Sequence, residues 1–274
     1  VVCMIFFFKQ KTAYKIVKSD WSTDVCSSDL LTCEKPFYRL VFGDSDGLPG
    51  LVIDRFGDAC VAQISSFGME LMKAELVEAI EKVVKPTTLI FRNDGKMREV
   101  EGLESYTETV IGDSGESVEL EENGVRFLAP VLKGQKTGWF YDHRMSRARL
   151  ASYVKGKRVL DIFSYIGGWG VQAAALGADS VLCIDSSEFA LDGVERNAAL
   201  NGVADKVGTM QGNAFEAMKQ LVNEGERFDM VIMDPPAFIP KRKDIKKGEE
   251  ISYNYGYGLD DYKGFPCNCG SKNC

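Results

Sequence analysis

Arg158 to Gly170 reads R-V-L-D-I-F-S-Y-I-G-G-W-G, Ser180 to Asp185 reads S-V-L-C-I-D, and Asp229 to Phe238 reads D-M-V-I-M-D-P-P-A-F. Each is a short apolar run that meets an acidic residue and then passes into turn or helix chemistry. Around them the pattern alternates. Strands are expected at Val159–Phe163, Ser180–Asp185, Val207–Gln211 and Met230–Asp234. Helices are expected at Gly168–Leu176, Glu188–Asn201 and Ala214–Asn223. Such alternation implies a parallel sheet with helices on both faces. A sheet of this kind takes a nucleotide-like ligand at the carboxyl ends of its strands.

The residues at those ends narrow the ligand. Asp161 precedes a turn containing Gly167, Gly168 and Gly170, where missing side chains let a ligand approach the backbone. Gly168 to Ala173 also fits the dinucleotide fingerprint G-x-G-x-x-G/A, so a nicotinamide oxidoreductase is the competing reading. Three features favour S-adenosylmethionine (SAM) instead. An acidic residue before the glycines repels a pyrophosphate and welcomes the SAM amine. Asp185 suits ribose hydroxyls in either reading. Asp234-Pro235-Pro236-Ala237-Phe238 has no use in hydride transfer. Its prolines fix φ and stiffen the loop, and Phe238 offers a face for an unstacked base. Asn213 could bond an adenine ring or simply cap the next helix.

Ahead of this domain, Leu51–Asp54 and Ala59–Ile64 read as strands joined through Phe56-Gly57-Asp58. Met69–Val84 has apolar residues at helical spacing, and Thr88–Phe91 is strand-like. Ser117–Leu120 and Val125–Ala129 flank Asn123-Gly124, a strong hairpin signal. This half is a small α+β domain whose carboxylate-rich segments read as solvated faces. Gly134 to Gly138 lacks the Gly directly before Lys136 that a P-loop needs. Tyr141–Val154 reads as a basic helix with Arg144, Arg147 and Arg149. It carries His143, the one histidine of the chain.

Over 274 residues the formal net charge is −7, so the chain as a whole is no basic nucleic-acid clamp. No apolar run approaches the roughly 18 residues of a membrane helix. The eight cysteines include Cys60 and Cys183 in strand-like runs, a usage that fits a reducing, cytoplasmic setting.

Four motifs in order, D-G-L-P-G-L-V-I-D-R-F-G-D, G-Q-K-T-G-W-F-Y-D-H-R, L-D-I-F-S-Y-I-G-G-W-G and M-D-P-P-A-F, resemble the bacterial class I SAM-dependent rRNA large-subunit methyltransferases. The resemblance spans about residues 37–243. It implies SAM as cofactor, ribosomal RNA as partner, and cytosine carbon 5 as the methylated atom. Guanine amino-nitrogen methylation and a non-catalytic RNA-binding role are the alternatives. By resemblance, Lys136, Thr137, Asp142 and Arg144 border the cofactor pocket. Asp161, Ser164, Gly167, Gly168, Asp185, Ser186 and Asn213 complete it, and Asp234, Pro235, Pro236 and Phe238 face the target base. Asn213 stands where the family usually has Asp, and His143 where it often has Gln. The family's chemistry is covalent: a cysteine thiolate adds to the ring so that the neighbouring carbon accepts the methyl group. That cysteine lies beyond the Asp-Pro-Pro-Ala-Phe strand in the family, so SAM binding without turnover is expected.

Both ends look foreign. Residues 1–30 resemble translated sequencing-adapter read-through. Glu249 to Cys274 resembles the end of a SET-domain protein lysine methyltransferase. Its Cys267, Cys269 and Cys274 are one thiolate short of a structural zinc site, so no metal is expected. The sequence therefore predicts a chimera. A non-native leader at 1–30 is followed by a small α+β domain at 37–130. A truncated Rossmann-like α/β SAM-binding domain at 131–243 and a foreign tail at 244–274 complete it.

Overall fold

The computed structural model describes residues 35–113 and 115–236, together with the backbone of Cys3–Phe6. The boundary expected at 243, the tail 244–274 and the rest of the leader 1–30 lie outside the described residues. The described residues up to Pro235 belong to one compact unit, built on two sheets and a hairpin.

The first sheet contains β2 (Phe37–Phe42), β3 (Leu51–Phe56), β4 (Ala59–Ile64), β5 (Thr88–Asn93) and β6 (Tyr106–Ile111), in that spatial order. Phe56 pairs with Ala59 across Gly57-Asp58, and Gly57 takes a φ of 65° that a two-residue hairpin loop demands. β4 and β5 pair in parallel, so their connection must cross the sheet, and helices make the crossing. The expected helix 69–84 starts earlier and is broken at Met72, giving α1 (Phe67–Leu71) and α2 (Lys73–Val83). Ser66 caps α1, its hydroxyl accepting the Met69 amide. Leu51, Ile53, Cys60, Ile64, Ile80, Leu89 and Phe91 form the core beneath. After β5 comes a single helical turn, α3 (Met97–Val100).

β7 (Val118–Glu122) and β8 (Val125–Ala129) form the expected hairpin. Asn123 and Gly124 both have positive φ, 54° and 79°, as a type I′ turn requires. Leu120, Val125, Phe127 and Ala129 share one core with Val159, Val171, Val181 and Val194. The boundary expected at residue 130 therefore cuts through a continuous core. Two asparagines hold the hairpin there: Asn197 accepts the Leu128 amide and Asn201 accepts the Arg126 amide.

The expected continuous helix 141–154 is replaced by three short pieces: a 3-10 turn at Tyr141–His143, α4 (Arg144–Ala148) and a second 3-10 turn at Arg149–Ser152. The reason is that this segment is not a solvated face throughout. Arg147 turns inward and is only 3% exposed, and Leu150 is buried beside it.

The second sheet contains β9 (Arg158–Ile162), β10 (Ser180–Asp185), β11 (Val207–Gln211) and β12 (Met230–Met233), with α5 (Gly170–Ala175), α6 (Glu188–Leu200) and α7 (Ala214–Asn223) between them. With β1 (Cys3–Phe6) at one edge, its order is β1-β12-β9-β10-β11, all parallel. β9 ends a residue earlier than expected because Phe163 turns left-handed, with φ 65°. The chain steps from β9 to β10 and β11 on one side and returns with β12 on the other. That reversal is the topological switch point of an open α/β sheet. β1 (Cys3–Phe6) pairs along β12, Cys3 opposite Met230 through Phe6 opposite Met233. Part of the leader thus takes the edge of the sheet that β12 leaves open.

Candidate functional site

Asp161, Asp185 and Asp234 stand at the carboxyl ends of β9, β10 and β12, around the switch point. Asp161 is fully buried. Its Oδ2 accepts the Gly170 amide at 2.8 Å, at the start of α5. Its Oδ1 has no hydrogen-bond partner among the described residues. Burial pushes the Asp161 carboxyl up to about 8; the Gly170 amide and Arg147 oppose the rise, while Asp234 and Asp185 add to it. Ser164, also buried, leaves its Oγ without a partner. Its amide donates to Ile184 O at 3.0 Å, which fixes the turn against β10.

The glycine turn is shaped by contacts as well as by φ. Gly167 has φ 83°, and a side chain there would lie 2.7 Å from Val171. At Gly168 a Cβ would press on Trp139 at 3.2 Å. Gly170 is the tightest: its Cβ would sit 2.4 Å from Cys183 Sγ and 3.0 Å from Asp161 Oδ2. Asp185 accepts the Tyr165 amide at 2.9 Å and the Ser187 amide at 3.0 Å. Ser187 caps α6, and the Ser186 carbonyl accepts from Gln211 at 3.4 Å. Tyr165 joins the turn to the preceding linker. Its hydroxyl accepts the Gln135 amide at 3.0 Å and donates to Gly138 O at 3.3 Å. Burial pushes that phenol up to about 12.

The linker residues divide. Lys136 takes φ 50° and lays its ammonium 4.6 Å from the Phe140 ring, and Asp142 sits in the 3-10 turn. Thr137 and Arg144, by contrast, turn toward the small domain. The Thr137 hydroxyl donates to Asp54 at 2.5 Å, and Asp54 also holds Arg39 through two bonds. Arg144 donates to Phe37 O and lies 3.7 Å from Glu122. These bonds tie the linker to the small domain. Asn213 is an N-cap: its Oδ1 accepts the Phe215 amide at 3.0 Å and the Glu216 amide at 3.4 Å.

Two arrangements escaped the sequence reading. Glu122, expected on a solvated face, is 2% exposed. It accepts two bonds from Arg147, at 2.6 and 3.0 Å, and one each from Trp139 and Gln172. A signal existed, since period two puts Glu122 on the same strand face as buried Leu120. His143 is the second. Its Nε2 lies 3.6 Å from Asp234 Oδ2, and its ring is 5.7 Å from that of Trp169. Pro235 and Pro236 follow Asp234; Phe238, like Cys267, Cys269 and Cys274, lies outside the described residues.

Cys60 and Cys183 are buried thiols. Burial pushes Cys60 up to about 11 and Cys183 well above its ordinary value. Neither is poised to form a thiolate nucleophile. No helix among the described residues is long and apolar enough to cross a membrane.

The sheet order and these strand-end groups define the class: a Rossmann-like α/β methyltransferase fold. Solved structures agree on the fold. A candidate SAM-dependent methyltransferase from Streptococcus mutans superposes with a TM-score of 0.68 at 24% identity, covering 80% of this chain and 57% of its own. A SAM-dependent methyltransferase from Agrobacterium tumefaciens gives 0.56 at 19% identity, covering 75% and 61%. The chain belongs to the S-adenosylmethionine-dependent methyltransferase family, whose model matches residues 97–245. It is 38% identical over 210 residues to "Ribosomal RNA large subunit methyltransferase I" of Erwinia tasmaniensis and 40% identical to that of Aliivibrio fischeri. Each match covers 76% of this chain and 53% of the relative, so the chain spans about half the length of the curated relatives it matches.

Proposed function

We propose that this chain holds SAM at the ends of β9 and β10 and belongs to an enzyme that methylates cytosine carbon 5 in large-subunit ribosomal RNA. The observation that carries the cofactor part is the pair of buried, unpartnered acceptors, Asp161 Oδ1 and Ser164 Oγ, at the switch point. A buried polar group without a partner costs free energy, and a ligand amine or hydroxyl would satisfy both. Asp161 would accept from the SAM amine and Asp185 from the ribose hydroxyls. Asp161 also argues against a dinucleotide, because its carboxylate already occupies the start of α5 where a pyrophosphate would bind. When bound, SAM supplies an electrophilic methyl group on sulfur.

Asn213 has its acceptor committed to the cap, which leaves only its amide N–H groups for an adenine ring. Adenine is therefore held there by a donor where an aspartate would offer acceptors. Asp234 would meet the target base, with Pro235 and Pro236 restricting the backbone behind it. The RNA assignment is supported by the names of the relatives and by their 38–40% identity. Cytosine-5 chemistry needs a thiolate, and among the described residues neither Cys60 nor Cys183 suits that role; SAM binding without net transfer is the outcome we expect.

The test is a single-turnover incubation with methyl-labelled SAM and large-subunit ribosomal RNA, followed by nucleoside analysis. Bound SAM with no labelled nucleoside is the expected result. Label in 5-methylcytidine would retain the specificity and contradict the absence of turnover. Label in a methylated guanosine would replace cytosine-5 chemistry with amino-nitrogen chemistry.

A further inference from the structure

We propose that His143 is a positioning residue for Asp234, its protonated ring holding the carboxylate that faces the target base. The base-facing role of Asp234 rests on the function proposed above; the coupling of the two side chains rests on geometry alone. His143 ends the 3-10 turn Tyr141–His143, and Asp234 follows β12, 91 residues further along the chain (234 − 143). The fold brings them to 3.6 Å, with side chains 12% and 21% exposed.

That distance decides what the contact can do. It is long for a hydrogen bond between neutral partners, yet within reach of an ion pair. A neutral imidazole gains little from it, whereas an imidazolium gains a Coulombic attraction that partial burial leaves incompletely screened. The surroundings favour an added cation. The charges of Asp234 and Asp185 both act on Asp161, so three carboxyl groups meet around this point. Arg147 reaches the same region, its guanidinium 5.6 Å from the Trp169 ring, but it is bonded to Glu122. Trp169 packs on the His143 ring at 46° and limits its rotation. Pro235 and Pro236 limit the backbone on the other side of the carboxylate. The aim of Asp234 is therefore fixed from both ends when His143 carries a proton and from one end when it does not.

The chain's one histidine gives a single imidazole to follow by NMR. The full chain, labelled at histidine, is titrated from pH 5 to 9, as are Asp234→Asn and Asp234→Ser. Removing an opposite charge at this range lowers a histidine's midpoint by roughly one pH unit or more, and both variants are expected to show that fall. A second substitution covers the case in which one variant misfolds. An unmoved midpoint in a folded variant overturns the inference. SAM is then added to the same samples. SAM bound with an unmoved midpoint would sink this inference and leave the cofactor reading intact. A shifted midpoint without SAM binding would keep the coupling and remove the proposed cofactor site.

Discussion

Asp161 has two oxygens with different tasks, and the difference makes the site testable at the level of one residue. Oδ2 is spent on the first amide of α5, while buried Oδ1 has no partner among the described residues. Folding raises this carboxyl from 3.8 to about 8, chiefly by burial. For an acid raised on folding, the protonated form is the one the fold favours. The stability it contributes is whole below about pH 4 and is lost as the pH rises through about 8. Ligand binding has the opposite sign, because a cationic amine favours the ionised form. Between pH 6 and 7, SAM binding is expected to release about one proton, with affinity rising up to roughly tenfold per pH unit. Calorimetry in buffers of different ionisation enthalpy measures that proton directly, and an affinity that does not change with pH would contradict the assignment. The sequence pointed to this residue by its place before the glycines. It could not show that Thr137 and Arg144 bond to the small domain, because Asp54 and Phe37, which accept from them, lie 83 and 107 positions away.

At the scale of elements, the packing of α5 against β10 decides the shape of the turn. The sequence offered ligand approach as the reason for the glycines, and Gly167 with its positive φ has a backbone reason of its own. Gly170 has another: it passes over Cys183 so closely that a methyl group would meet the sulfur at 2.4 Å. Gly170→Ala is expected to destabilise the fold by about 1–3 kcal/mol through overpacking. Cys183→Ala in the same chain should recover most of that loss, read from urea midpoints. A double variant no more stable than the single one would show that the sulfur is not the obstacle. Strands and the Asn123-Gly124 turn were legible because period and turn chemistry are local. The broken helix at 141–152 was not, because its break depends on Arg147 turning toward Glu122, a partner in another element. Nor could periodicity show that a segment of the leader would pair with β12.

For the whole molecule, the parallel sheet of β9 to β12 and the hairpin in front of it behave as one structure. Leu120, Phe127 and Trp139 share a core with Val159, Val171 and Val194. The Glu122–Arg147 pair is buried within this region, bonded also to Trp139 and Gln172. Such a pair gives little net stability on its own, but removing one partner leaves a buried charge. It therefore penalises arrangements in which the hairpin leaves the sheet. Alternating strands and helices made the class of fold readable from sequence, since a parallel sheet needs crossovers. The join between small domain and sheet was not readable, since it is made by single polar residues such as Asn197 and Thr137. What this architecture is for comes down to which cofactor the switch point accepts. Isothermal titration of the chain with SAM and with NADH, alongside Asp161→Asn, tests that most directly. The account predicts saturable SAM binding that Asp161→Asn abolishes, and no binding of NADH. NADH binding without SAM binding would contradict it.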